Sequence, residues 1–176
     1  MQNRINIGLI GAGRIAGHHI RAIKKNKKFR ILAICDLNKK KAEKYSYKYK
    51  LNIYKHYDEM LSKEKNIDLV VILTPSGMHY PHAMDILKKY KKHLLIEKPT
   101  SLKTSQIKNL YSLALKYKKK IFPVFQNRYN KSVIKIKDLI NKNKLGKIRI
   151  ASLQLRWCRP QRYYDLSVWR GVYSHD

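Results

Sequence analysis

Short apolar runs and helix-period stretches take turns along this chain from its first residues. Ile5, Ile7, Leu9 and Ile10 predict a buried first strand. A glycine-rich turn follows, then a helix from about Ile15 to Lys25. Phe29 to Cys35 predicts the second strand, ending on Asp36, and Asn38 to Tyr49 a helix with Asn38 as its cap. Ile53 and Tyr54 read as a short strand, and Asp58 as the cap of a short helix holding Met60 and Leu61. Leu69 to Leu73 is wholly apolar and stops at Thr74-Pro75, as suits a strand covered on both faces. Tyr80 to Tyr90 predicts a helix and His93 to Ile96 a strand. Ser101 to Lys116 predicts a helix capped by Ser101, and Ile121 to Phe125 the last strand of this set. Strands alternating with helices imply an α/β fold with a parallel sheet, because each crossover helix returns the chain to the same sheet edge.

The pattern changes near residue 126. Ser132 to Lys142 is amphipathic, with Ile134, Ile136, Leu139 and Ile140 available for burial. Gly146 closes that segment, and the alternation of Lys147 to Trp157 predicts a new strand whose partners lie in further sequence. Residues 1–125 therefore form one domain, and residues 126–176 the truncated start of a second α/β domain.

Composition narrows the function classes. The chain has 176 residues, 44% of them hydrophobic, which suffices for one full core. It holds no apolar run of about eighteen residues and no secretory leader, so the reading is cytoplasmic, with no membrane partner. Cys35 and Cys158 are far apart and read as reduced and packed, and no Cys/His spacing suggests a metal. The charge is unusual, with 40 Lys plus Arg against 11 Asp plus Glu, a formal +29. Such an excess can mark a nucleic-acid binder. Here lysine far outnumbers arginine and falls in runs on water-facing helix positions: Lys24, Lys25, Lys27 and Lys28; Lys39, Lys40 and Lys41; Lys116, Lys118, Lys119 and Lys120. Solvated faces account for it, and no specific nucleic-acid partner is expected.

The strongest local signal is Gly11-Ala12-Gly13-Arg14-Ile15-Ala16, a G-x-G-x-x-G/A turn between the first strand and first helix. Gly11 permits the tight turn, Gly13 lets backbone approach a pyrophosphate, and Ala16 allows close helix–strand packing. With Arg14 and Ile15, this turn is assigned to cofactor binding on a doubly wound parallel Rossmann sheet. Asp36 ends the second strand at the expected distance, where a carboxylate accepts hydrogen bonds from the adenosine ribose. It would repel a 2′-phosphate, and Leu37-Asn38 supplies no cation, so NAD is expected over NADP.

Two later strand ends converge on the same crevice: Thr74-Pro75-Ser76-Gly77-Met78-His79 and Glu97-Lys98-Pro99. A lysine beside a nicotinamide can orient a substrate hydroxyl and, if desolvated, take part in proton transfer. The plain alternatives are a proline strand stop and a surface ion pair.

With Gln126-Asn127-Arg128-Tyr129 added, these motifs resemble the glucose–fructose oxidoreductase and inositol dehydrogenase family, Gfo/Idh/MocA, over essentially the whole chain. The tail Arg156-Trp157-Cys158-Arg159-Pro160, with Tyr163-Tyr164 and Trp169-Arg170-Gly171, resembles the branch acting on UDP-sugars, the UDP-N-acetylglucosaminuronate 3-dehydrogenases of surface-polysaccharide synthesis. The resemblance implies oxidation of a sugar C3 hydroxyl with hydride passing to NAD. It makes Lys98 the catalytic-site lysine, has Glu97 help fix the site, and counts both among the cofactor-binding residues. It places Thr74, Pro75 and His79 along the nicotinamide end and Gln126 on the cofactor. It makes Asn127, Arg128, Arg156, Tyr163, Trp169 and Arg170 candidates for the substrate side or the cofactor's outer rim. Members of the family continue into a segment that completes proton transfer and an open sheet that often forms the oligomer interface. A fragment, a truncated product or part of a split protein is therefore expected, homo-oligomeric in its full-length form. His175 and Asp176 precede the position of the proton-transfer residue and do not take its role. Two rival readings stand beside this one. An NAD-binding module without turnover would share the same turn. A basic nucleic-acid-binding protein would need a reading motif, and none is present.

Overall fold

The computed structural model describes residues 4–167 and 169–172; His175 and Asp176 lie outside them. Six parallel strands form one sheet: β1 Ile5–Ile10, β2 Phe29–Cys35, β3 Asn52–Tyr54, β4 Leu69–Ile72, β5 His93–Ile96 and β6 Ile121–Pro123. Their spatial order is β3-β2-β1-β4-β5-β6. The chain winds outward from β1 in one direction, then crosses back to start β4 on the other side, which is the doubly wound order.

Alternation within the strands explains the layers. In β4, Val70 and Ile72 belong to one apolar cluster, while Val71, with the following Leu73, belongs to another. Successive side chains of a strand point to opposite faces. One cluster takes in Met60 and Leu61 of α3 (Tyr57–Lys63), Ala83, Ile86 and Leu87 of α4 (His79–Lys89), and Leu110 and Ala114 of α5 (Thr104–Lys116). The other takes in Ala16 and Ile20 of α1 (Ala16–Lys24) and Ala42 of α2 (Lys39–Tyr49). The strands are thus covered on both faces. Replacing one fully buried residue, such as Ile72→Ala, costs about 2–5 kcal/mol in such a setting. Lys24, Lys25, Lys27, Lys28 and Lys39 to Lys41 are all exposed.

Several boundaries differ from the sequence reading. Asp58 lies inside the first turn of α3, whose N-cap is His56. Helix α5 starts at Thr104 after Lys103, and the Ser101 hydroxyl instead donates to the Lys103 carbonyl. Asn38 does occupy the N-cap of α2, but its side chain makes no capping bond. Its amide donates to Asp36 Oδ1, two residues back.

Cα proximity divides the chain into a unit running to Val124, together with Val172, and a unit spanning Phe125–Gly171. The second contains a 3₁₀ turn, Gln126–Tyr129, and helices α6 (Lys131–Asn141) and α7 (Gln161–Asp165). The strand expected over Lys147 to Trp157 is not formed. A strand is held by hydrogen bonds to a neighbour, and no described segment runs beside this one. Its apolar residues stand in water, Ile150 at 87% and Leu153 at 93% exposure. The apolar side of α6 is exposed as well, with Ile134, Ile136 and Ile140 all about half accessible.

Candidate functional site

The sheet register brings the strand ends into one row. Cys35 pairs with Ile10, Ile10 with Ile72, and Ile72 with Ile96. The next residue of each strand, Asp36, Gly11, Leu73 and Glu97, therefore emerges at the same edge. Backbone bonds carry the alignment one step further: Gly11 N–H to Cys35 O at 2.8 Å, Leu73 N–H to Ile10 O at 2.8 Å, and Glu97 N–H to Ile72 O at 3.1 Å. This edge, at the β1/β4 switch point, is where open α/β sheets bind ligands.

The two turn glycines do different work. Gly11 has φ +99°, and a Cβ there would lie 2.8 Å from the Leu73 carbonyl oxygen. It is needed for its conformation and for close contact with the end of β4. At Gly13 a Cβ would meet nothing within 4 Å, so its bare backbone faces open space. Its carbonyl accepts the Tyr45 hydroxyl at 3.1 Å, which pins the turn to α2. The amides of Gly13, Arg14 and Ile15 donate to nothing among the described residues. Helix α1 begins with no side-chain cap and no acidic residue in its first turn. Unpartnered amides at a helix start suit an anion. Arg14 and Ile15 are exposed beside them, and Ala16 is fully buried.

Asp36 is built into the same turn. Its Oδ2 accepts the Ala12 amide at 2.7 Å and its Oδ1 the Asn38 amide at 2.8 Å. Two backbone donors fix the carboxylate plane and leave a lone pair on each oxygen for a ribose hydroxyl. Bare glycine backbone, free amides and an oriented carboxylate together fit a dinucleotide.

On the other side of β1, the Glu97 carboxylate is braced at both ends. Oε1 lies 2.7 Å from His19 Nε2, and Oε2 accepts the Lys98 amide at 3.1 Å. Burial pushes its carboxyl up. The His19 hydrogen bond, the Lys98 amide and nearby positive charge outweigh that and leave it below the usual carboxylate range. Glu97 is therefore spoken for by His19 and by backbone, and makes no ion pair with the Lys98 ammonium. Lys98 is exposed, with no partner for its Nζ among the described residues. The Lys98–Pro99 peptide is cis.

Thr74 and Pro75 are half-buried at the end of β4. Thr74 Oγ1 lies 3.2 Å from His82 Nδ1. Burial first, and the charge of His79 second, push the His82 imidazole below its ordinary value. His79, expected to line the nicotinamide end, is 1% exposed, with both ring nitrogens held by backbone carbonyls. A ring so enclosed has no face for a ligand, so His79 does not line the nicotinamide end as expected.

The sequence profile of the Gfo/Idh/MocA proteins, an oxidoreductase family with an NAD-binding Rossmann fold, matches residues 5–125. The chain belongs to this family. Gfo/Idh/MocA relatives include the glucose-6-phosphate 3-dehydrogenase of Bacillus subtilis, 29% identical over 142 residues, 81% of this chain and 39% of that protein. The inositol 2-dehydrogenase of Rhizobium meliloti is 24% identical, over 98% of this chain and 52% of that protein. Among solved structures, the WlbA dehydrogenase of Bordetella pertussis, in complex with NADH and UDP-GlcNAcA, superposes with a TM-score of 0.93 at 30% identity. The WlbA dehydrogenase of Chromobacterium violaceum, in complex with the same two molecules, gives 0.94 at 28%. Both likenesses cover 99% of this chain, but 52% and 50% of the other. The chain thus spans between 39% and 52% of the length of these Gfo/Idh/MocA relatives. Residues 5–125 are its NAD-binding domain.

The remaining sequence-predicted residues lie in the second unit. Gln126, Asn127 and Arg128 form its opening 3₁₀ turn and are exposed, with the Arg128 guanidinium 5.1 Å from the Phe125 ring centre. Tyr163, Trp169 and Arg170 come together. The Arg170 guanidinium lies 4.5 Å from the Tyr163 ring and 5.6 Å from the Trp169 ring, and its Nη1 donates to the Tyr163 carbonyl at 2.9 Å. Arg159 joins them at 4.5 Å from both Trp157 and Tyr163. Arg156 is exposed and outside this ladder. Among the described residues, no group of three or more His, Cys, Asp or Glu could hold a metal ion. Likewise no described helix is long and apolar enough to cross a membrane.

Sequence reasoning missed His19, His82 and Tyr45. Of these, His19 had a faint signal. It stands four residues after Ile15, on the helix flank that runs away from the glycine turn, but nothing in the sequence pairs it with Glu97.

Proposed function

We propose that the protein oxidises a sugar hydroxyl with NAD, the substrate being the C3 hydroxyl of a UDP-N-acetyl-hexuronate in surface-polysaccharide synthesis. One observation carries the reading: Lys98 leaves the strand next to β4, in the row that holds the dinucleotide turn, with a free ammonium on a backbone braced by Glu97. The likeness over 99% of the chain to enzymes crystallised with NADH and UDP-GlcNAcA supports the choice of sugar.

NAD supplies a hydride acceptor at the C4 of its nicotinamide. The residues of this chain do the rest. Gly13 and the free amides of Arg14 and Ile15 receive the pyrophosphate, and Asp36 receives the ribose hydroxyls. Thr74 and Pro75 wall the nicotinamide end, and Lys98 orients the sugar hydroxyl and helps its proton leave. The carbinol carbon loses a hydride and the hydroxyl a proton, giving a ketone. Proton transfer by a placed group supplies about 10²–10⁴-fold in rate. The Tyr163–Arg170–Trp169 assembly, with Arg159, offers two guanidiniums for a diphosphate and rings for a base. Asn127, Arg128 and Arg156 are the further substrate candidates, and Gln126 the further cofactor candidate. A cytoplasmic site suits an enzyme using soluble NAD and a nucleotide sugar.

The test is NADH formation with UDP-N-acetylglucosaminuronate in the natural polypeptide of which this chain is all or part. Turnover lost in Lys98→Ala, with NAD binding retained, is the expected result. NAD binding without turnover of any nucleotide sugar would leave the binding module as the better reading.

A further inference from the structure

His79 opens α4 and is 1% exposed. Its Nδ1 lies 2.6 Å from the carbonyl oxygen of Pro99, and its Nε2 lies 2.8 Å from that of Thr74. Both partners are acceptors. A neutral imidazole carries one N–H, so it could satisfy one carbonyl while turning a bare lone pair on the other. Buried polar groups left opposed in this way are costly. Burial disfavours a charged ring, but a ring with an N–H on each nitrogen satisfies both carbonyls, and their two dipoles offset part of that cost. Neither carbonyl has another donor among the described residues. Both belong to turns just past the ends of β4 and β5, where the ladder no longer ties one strand to the next.

We propose that His79 is a positioning residue. Donating from both ring nitrogens, it bolts the Thr74-Pro75 turn to the Lys98-Pro99 turn, and so sets the separation between the wall of the nicotinamide end and the Lys98 side chain. The proposal rests on the reading that Lys98 serves hydride transfer. A second ring on the same helix supports it. His82, one turn on, holds the Thr74 hydroxyl at 3.2 Å, so α4 grips this residue by its carbonyl and by its side chain. A ring that merely filled space would not need two acceptors brought to its two nitrogens from two different strand ends.

Two measurements on the intact natural protein test this. The first is a ¹⁵N–¹H long-range correlation spectrum of the histidine rings. His79 should show a proton on both nitrogens, and one unprotonated nitrogen would overturn the proposal. The second is the kinetics of His79→Phe, which keeps a ring and removes both donors, and of His79→Gln, which restores one donor. His79→Phe should lower kcat by roughly 10²-fold, the cost of misplacing a reacting group by about an ångström, with KM for NAD little changed. His79→Gln should recover part of that loss. A folded variant that loses thermal stability while keeping its kcat would show a structural role only. Should His79→Phe fail to fold, His79→Gln and the spectrum still decide. Turnover that survives Lys98→Ala would sink the reading that Lys98 serves hydride transfer, and the spectrum would still judge the clamp separately.

Discussion

His19 Nε2 stands 2.7 Å from Glu97 Oε1, so the helix that follows the dinucleotide turn is tied to the residue before Lys98. Both side chains are largely shielded, at 15% and 12% exposure. Because the native Glu97 carboxyl is held below the usual carboxylate range, it adds stability that is fully present above that range. This stability is lost as pH falls through the native value. Urea unfolding of wild type and Glu97→Gln at about pH 7 and about pH 3 should show a wild-type advantage that shrinks at the lower pH. A pH-independent difference would contradict this origin. Replacing the partner, His19→Ala, leaves the carboxylate short of a donor and should cost about 1–3 kcal/mol.

The two glycines of the turn should fail in different ways. Gly11→Ala forces a side chain into left-handed backbone 2.8 Å from the Leu73 carbonyl oxygen. It should lower stability by about 1–3 kcal/mol. Gly13→Ala meets open space and should leave thermal unfolding unchanged. It should weaken NAD binding, because the new methyl stands where a pyrophosphate would approach. Differential scanning calorimetry and NAD titration on the two variants separate these effects. Equal loss of stability in both would show that the space at Gly13 is not open.

Thiol reactivity offers an independent check on the core. Burial first, then the neighbouring Asp36 charge, push the Cys35 thiol up to about 12. Cys158 is exposed. Alkylation of the native protein near neutral pH should modify Cys158 alone, since the thiolate is the reactive form. Cys35 should react only after unfolding. Rapid native labelling of Cys35 would mean that the end of β2 opens readily.

Much of the NAD-binding unit could be read from the sequence because its signals are local. Leu69 to Ile72 is apolar throughout since both faces of β4 are covered, and Gly11, Asp36 and Glu97 announce themselves by following strand runs. The His19–Glu97 brace could not be read, because it joins residues 78 positions apart through the sheet register. His79 was visible as a residue but not in its role, which depends on two carbonyls that only the folded turns bring to its ring. The strand read over Lys147 to Trp157 failed for the complementary reason. Alternation records which residues could face a core, whereas pairing needs a neighbour, and no described segment supplies one.

Asp36 and the ribose it is placed to hold give the most direct test. The measurement is calorimetric titration of NAD and NADP against wild type and Asp36→Ala. NAD should bind wild type more tightly than NADP does, since a fixed carboxylate repels a 2′-phosphate. Asp36→Ala should cost NAD about 1–3 kcal/mol and narrow the gap between the two cofactors. Equal or tighter binding of NADP by wild type would contradict the account of this site.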